Sequence, residues 1–125
     1  MTDKKIVLAI DDNAQQLNEF KYILVSQYDL RVVKSASEAL IFLNSGTADI
    51  ILLDIEMPNI SGFEFLEDIK RIPRHTNVPV IIVSGNSGDE FINKARNSGA
   101  VDVLAKPVDP NTLIDRIEKA LVCAQ

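Results

Sequence analysis

Residues 49–58 read Asp49-Ile50-Ile51-Leu52-Leu53-Asp54-Ile55-Glu56-Met57-Pro58, a short apolar run that stops at an aspartate. The run at 49–53 is typical of a strand covered on both faces, as strands of parallel sheets are. A carboxylate directly after such a strand is unusual, because charged groups are rarely placed beside a core without a partner. In open α/β sheets ligands bind beyond the carboxyl ends of the strands, so Asp54 is the first candidate functional residue.

Four other apolar runs alternate with amphipathic segments along the chain. The predicted strands cover residues 5–10, 30–34, 49–53, 78–83 and 101–104. Strands that alternate with helical segments indicate a parallel sheet with helices on both faces. A length of 125 residues suits one hydrophobic core. We therefore predict a single doubly wound α/β domain over residues 1–125.

The helix starts carry capping residues. Asp109 followed by Pro110 predicts the start of the last helix, and Pro73 prevents the third helix from continuing. The single histidine, His75, lies in the polar segment that follows and is predicted to be an exposed loop residue. Three other helix starts match the Ser-x-x-Glu capping box, and these pairs are Ser35 with Glu38, Ser61 with Glu64, and Ser87 with Glu90.

Composition narrows the classes of function. A net charge of −5 and a pI near 4.8 argue against direct nucleic-acid binding, which needs clustered Lys and Arg. No apolar run approaches the ~20 residues of a membrane span, and the first residues lack the apolar stretch of a secretory signal. The single cysteine, Cys123, cannot form an internal disulfide. We expect a cytoplasmic protein, away from membranes, whose partners are other proteins.

Polar side chains stand near the ends of four predicted strands. Asp11 and Asp12 follow the first strand, Asp54 the third, Ser84 the fourth and Lys106 the fifth. Each residue taken singly has an ordinary explanation as a helix cap, a loop hydroxyl or an exposed charge. Because the carboxyl ends of parallel strands meet at one edge of the sheet, together these residues predict one pocket.

The chemistry of such a pocket points to phosphoryl transfer. Three carboxylates repel one another unless a cation is present, and an all-oxygen ligand set favours Mg2+ over zinc, with Mn2+ as an alternative. Lys106 and Ser84 supply a fixed cation and a hydrogen-bond donor for phosphoryl oxygens. Asp54 is then the candidate acceptor, since carboxylates form acyl phosphates. The sequence has no nucleotide-binding glycine loop, so the expected donor is a phosphorylated protein or a small phosphodonor.

These residues, in this order, closely resemble the receiver domains of two-component response regulators over essentially the whole chain. The resemblance implies a flavodoxin-like (βα)5 fold, with a five-stranded parallel sheet in the order 2-1-3-4-5. The matching segments are Asp11-Asp12, residues 54–62 as Asp-x-x-Met-Pro-x-x-x-Gly, Ser84-Gly85, and Lys106-Pro107.

The resemblance also implies a mechanism. A sensor histidine kinase or a histidine phosphotransfer protein would donate its phosphoryl group to Asp54. The receiver would catalyse this transfer and later hydrolyse the product, so it is not a conventional enzyme. Phosphorylation would alter binding to a downstream protein or an attached output domain. The resemblance further implies that the Glu56 backbone carbonyl binds the metal, that the Lys106–Pro107 peptide is cis, and that Glu56 and Asn86 tune the lifetime of the phosphoryl group.

One position departs from the family pattern. The family switch pairs the hydroxyl residue, here Ser84, with an aromatic residue three positions before the lysine, and this chain has Val103 there. Acceptor chemistry does not depend on that ring, whereas the relay to the face formed by the fourth helix, the fifth strand and the fifth helix does. A pseudo-receiver that acts as a phosphorylation-independent docking module therefore stays open as the alternative. An aspartate-nucleophile phosphatase and an FMN-binding electron carrier fit the aspartates after the first strand less well.

Overall fold

The computed structural model describes residues 4–57, 61–86 and 88–123. In these residues strands and helices alternate strictly. The strands are β1 (Ile6–Ile10), β2 (Asp29–Val33), β3 (Ile50–Asp54), β4 (Val80–Ser84) and β5 (Asp102–Ala105). The helices are α1 (Ala14–Leu24), α2 (Ala36–Ser45), α3 (Gly62–Arg71), α4 (Asp89–Asn97) and α5 (Pro110–Cys123), with a short 3-10 helix at Pro73–His75. Across the described ranges, no helix has the length and apolar character needed to span a bilayer.

The strands form one parallel sheet in the order β2-β1-β3-β4-β5. The predicted fold class and strand order are therefore confirmed. The strand order reverses at β1, so the chain leaves β1 toward β2 on one side and returns to β3 on the other. The carboxyl ends of β1 and β3 flank this switch point, with Ile10 paired to Leu53 in the sheet register.

Side chains alternate across the sheet and build two hydrophobic layers. Leu53 and Ile82 face the layer covered by α2, α3 and α4, whereas Leu52 and Ile81 face the layer covered by α1 and α5. All residues of β3 and β4 are buried. Full burial on both faces explains why these two strands read as unbroken apolar runs.

Four of the five observed strands begin one or two residues later than predicted, whereas β2 begins and ends one residue earlier. Asp54 and Ser84 are the last residues of β3 and β4, not the first residues after them, because the sheet pairing continues to Asp54 opposite Val83 and to Ser84 opposite Ala105. Pro79 was included in the fourth predicted strand, but β4 begins after it. Its carbonyl still accepts from the backbone of β3, whereas proline has no N–H to donate.

Three of the four predicted helix caps are confirmed. Ser35 and Ser61 accept hydrogen bonds from backbone N–H groups of α2 and α3, and Asp109 accepts from Thr112 in α5. The prediction for α4 was wrong, because its N-cap is Gly88, which has no capping side chain. Ser87 itself lies outside the described residues. The amide of Gly88 instead donates to the side chain of Asn86.

His75 is buried, and its prediction as an exposed loop residue was wrong. Its Nε2 lies 2.7 Å from the carbonyl oxygen of Leu43 near the end of α2, and the Arg74 guanidinium donates to the same oxygen at 2.8 Å. The last carbonyls of a helix lack partners within the helix, so donors from elsewhere are needed. His75 therefore has a structural role, joining the end of α2 to the 3-10 helix.

Candidate functional site

Three carboxylates meet at the carboxyl edge of the sheet. Asp11 follows β1 and is fully buried, Asp54 ends β3 and is almost fully buried, and Asp12 is exposed. Since β1 and β3 are neighbours, the sheet itself brings these residues together. One carboxylate oxygen from each residue lies within 4.8 Å of the others.

Lys106 reaches this cluster from the loop after β5. Its Nζ lies 3.3 Å from Asp11 Oδ2 and 3.5 Å from Asp54 Oδ1. Its backbone N–H donates to the carbonyl of Ser84 at 2.9 Å, and the peptide bond between Lys106 and Pro107 is cis. The lysine is thus fixed at both its main chain and its side chain, with one ammonium group set against two buried carboxylates.

The environment of the site raises the pKa of both Asp11 and Lys106. Burial raises the pKa of the Asp11 carboxyl, and the charge of Asp54 adds to this, although the Asn13 backbone N–H and Lys106 act the other way. For Lys106, burial acts to lower the pKa, but Asp11 and Asp54 outweigh it and raise the pKa. Burial of Asp11 and the attraction of Lys106 to two carboxylates therefore both favour the protonated forms of these groups.

The carboxylates are held in fixed orientations by backbone groups. The N–H of Asn13 donates to Asp11 Oδ1 at 2.9 Å, and the N–H of Glu56 donates to Asp54 Oδ1 at 3.0 Å. In each bond the aspartate side chain accepts from the backbone N–H two residues later in the chain, which is a local turn that aspartate favours. The side chain of Asp54 is therefore positioned by the loop that follows β3.

The oxygen cluster suits a hard divalent cation. Mg2+ prefers six oxygens at about 2.1 Å, so its opposite ligands stand about 4.2 Å apart. One oxygen from each of the three carboxylates lies within 4.8 Å of the others, so they would have to move closer together to bind one such ion as neighbouring ligands. In the described residues the cluster contains no His or Cys, in agreement with the all-oxygen prediction.

Ser84 lies beside the cluster and is engaged in two hydrogen bonds. Its hydroxyl donates to Glu56 Oε1 at 2.7 Å and accepts from the backbone N–H of Asn86 at 3.0 Å. Ser84 is fully buried, whereas Glu56 and Asn86 are exposed. Sequence analysis did not predict the contact between Glu56 and Ser84, because the two residues are 28 positions apart and no motif pairs their side chains.

Val103 lies within β5, opposite Ile82 in the sheet. Its side chain is half-buried and packs against the apolar layer under α2, α3 and α4. It thus occupies a core position on the face of the sheet that α4 covers. Its role as a switch residue stays a prediction.

The fold and the pocket together define a class: a flavodoxin-like α/β protein with an acidic site at the switch point of its sheet. The chain belongs to the response regulator receiver domain family, whose family model matches residues 7–118. It is 36% identical over 107 residues to the two-component response regulator ORR5 of Oryza sativa subsp. japonica, covering 84% of this chain and 80% of that protein. It is 38% identical over 113 residues to a protein-glutamate methylesterase/protein-glutamine glutaminase of Chromohalobacter salexigens, covering 86% of this chain.

Solved structures agree with the fold. A CheY-like response regulator receiver domain protein from Methanospirillum hungatei superposes with a TM-score of 0.88 at 28% identity, covering 98% of this chain and 97% of that one. Several curated relatives are much longer than this chain. The aligned region is 31% of the Chromohalobacter protein and 16% of the sensor kinase/phosphatase CqsS of Vibrio cholerae. The receiver fold therefore recurs as one part of larger signalling proteins.

Proposed function

We propose that this domain accepts a phosphoryl group on Asp54 from the phosphohistidine of a sensor histidine kinase or a histidine phosphotransfer protein. The supporting observation is the placement of Lys106, whose ammonium group contacts both Asp11 and Asp54 at the edge of the sheet. A fixed cation beside a carboxylate acceptor is the arrangement that phosphoryl transfer needs, because catalysis of this reaction is mainly positioning and charge stabilisation.

In the proposed step a carboxylate oxygen of Asp54 attacks phosphorus. The P–N bond to the donor histidine breaks, its electron pair returns to the imidazole, and an O–P bond forms at Asp54. Lys106 Nζ is placed to donate to a phosphoryl oxygen, and the Ser84 hydroxyl supplies a second donor. Hydrolysis of the acyl phosphate by water returns the carboxylate and releases phosphate.

Asp11, Asp12 and Asp54 would hold Mg2+, or Mn2+, with the backbone carbonyl of Glu56 as a further ligand. When bound, the ion neutralises the carboxylates and the incoming phosphoryl oxygens. Glu56 and Asn86 are exposed, and their side chains would affect the approach of water to the phosphoryl group. The phosphorylated state would then change binding to a downstream protein target or to an attached output domain.

The acceptor is tested by intact mass after incubation with phosphoramidate or acetyl phosphate, with and without Mg2+. We expect the wild type to gain one phosphoryl group only when Mg2+ is present. Asp54→Asn should gain none, because the amide is not a nucleophile of comparable strength. No gain with any donor would reject the proposal and favour the pseudo-receiver alternative.

Metal binding is tested separately by thermal unfolding. Mg2+ should raise the wild-type midpoint by linkage, with about 2.7 kcal/mol of stabilisation at a concentration 100 times the Kd. Asp12→Ala should lose most of this gain and should melt slightly higher than the wild type without Mg2+. Among the described residues no Lys or Arg forms an ion pair with Asp12, so its removal mainly relieves repulsion. Glu118→Ala on α5 is the charge-matched control, and a wild-type midpoint insensitive to millimolar Mg2+ would contradict the metal site.

A further inference from the structure

The hydrogen bond between Ser84 and Glu56 limits what Ser84 can do. The Ser84 hydroxyl donates to Glu56 Oε1 at 2.7 Å while its oxygen accepts the N–H of Asn86 at 3.0 Å. A serine hydroxyl carries a single donor hydrogen. That hydrogen is directed to a carboxylate, which forms stronger hydrogen bonds than a neutral acceptor does.

A phosphoryl group on Asp54 would need the same hydrogen. Its oxygens are acceptors, so Ser84 can stabilise them only as a donor. The main-chain segment of Ser84 is fixed by β4 and by the bond from the Lys106 N–H, so the change must occur at the side chain. The hydroxyl must therefore leave Glu56 before it can contact the phosphoryl group.

We infer that the Glu56 carboxylate restrains the Ser84 hydroxyl and competes with the phosphoryl group of Asp54 for its one hydrogen, which slows phosphorylation. The inference rests on the proposed phosphorylation of Asp54. Glu56 is then a positioning residue that acts through Ser84, in addition to its backbone N–H bond to the acceptor. Because the Glu56 carboxylate is exposed to solvent, its hydrogen bond to Ser84 can break and form again.

The test measures the rate of phosphorylation by phosphoramidate with Mg2+, followed by intact mass. Glu56→Ala should raise the second-order rate constant about threefold to tenfold, the range expected from the net strength of one hydrogen bond whose carboxylate is exposed to water. Glu56→Gln, which keeps an acceptor oxygen without the charge, should give a smaller increase. An unchanged rate in Glu56→Ala would overturn the inference.

A double-mutant cycle separates action through Ser84 from a simple loss of negative charge. Ser84→Ala should lower the rate. Adding Glu56→Ala in the Ser84→Ala background should not raise the rate, because the hydroxyl for which Glu56 competes is absent. An increase of the same size in both backgrounds would show that Glu56 acts by its charge alone and would overturn the inference. Melting curves of the four proteins establish that each is folded at the assay temperature.

Glu90→Ala is the matched control. Glu90 is also exposed and lies in the first turn of α4, so its removal makes the same change in net charge without touching Ser84. Its rate should stay close to that of the wild type. A wild type that gains no phosphoryl group would overturn the proposed function and this inference with it, whereas a reactive wild type with an insensitive Glu56→Ala variant overturns the inference alone.

Discussion

Lys106→Ala is expected to reduce the rate of Asp54 phosphorylation by about 100-fold or more, the usual loss when a preorganised charge-stabilising donor is removed from an active site. Its ammonium group lies 3.5 Å from Asp54 Oδ1, and its backbone N–H donates to the carbonyl of Ser84. The measurement is the phosphoramidate rate by intact mass at saturating Mg2+. The effect should exceed that of Ser84→Ala, because Lys106 supplies a full charge as well as a donor.

Two further variants test whether the phosphorylation rate depends on the position of the positive charge. Lys119→Ala removes an exposed lysine from α5, where it pairs with Asp115, and should leave the rate unchanged. Lys106→Arg keeps the charge but presents a planar group in place of a compact ammonium, so it should recover only part of the rate. A Lys106→Ala protein phosphorylated at the wild-type rate would exclude Lys106 from the reaction.

The sequence predicted those parts of the fold that depend on local patterns. The apolar runs within β3 and β4 are buried on both faces, so their composition identified them directly. The pocket residues were also predictable, because parallel strands place their carboxyl ends at one edge whatever the details of packing. The one-residue error at the strand ends arose because Asp54 and Ser84 are polar, and polarity alone does not reveal that sheet pairing continues through them.

The features that sequence analysis did not predict depend on contacts between segments that are distant in the chain. His75 has polar neighbours along the chain, which indicated exposure, but it is buried by the end of α2, 32 residues earlier. The bond from Ser84 to Glu56 is of the same kind, since it joins the ends of two adjacent strands. Such contacts depend on how loops pack in the folded chain, and neither hydrophobic periodicity nor motif spacing predicts that packing.

The structure also explains why residue 62 is a glycine. Gly62 is the first residue of α3, and a Cβ added there would lie 2.7 Å from the Cα of Ile55 and 2.5 Å from its Cδ1. Contacts below 3.0 Å force a shift, and here the obstructing atoms include main chain. Ile55 is itself buried, so its side chain has little room to move away.

Gly62→Ala is therefore expected to destabilise the fold by about 3 kcal/mol, seen as a drop in melting midpoint of roughly 10 °C. Alanine is the better helix former by about 1 kcal/mol, so a stabilised variant would mean that the close approach to Ile55 is relieved at no cost. Gly85→Ala is the matched control, because its added Cβ would come no closer than 3.9 Å to Glu56 Oε1, and its midpoint should stay near that of the wild type.

The same substitution should also weaken the pocket. Ile55 lies between Asp54 and Glu56. A main-chain movement of Ile55 that accommodates a Cβ at position 62 would therefore displace Glu56, whose N–H orients Asp54. We expect Gly62→Ala to show a smaller Mg2+-induced rise in midpoint and slower phosphorylation at temperatures where it is fully folded. Unchanged Mg2+ affinity and rate in a destabilised protein would show that the loop after β3 absorbs the strain without moving Asp54, and the tight contact would then serve folding alone.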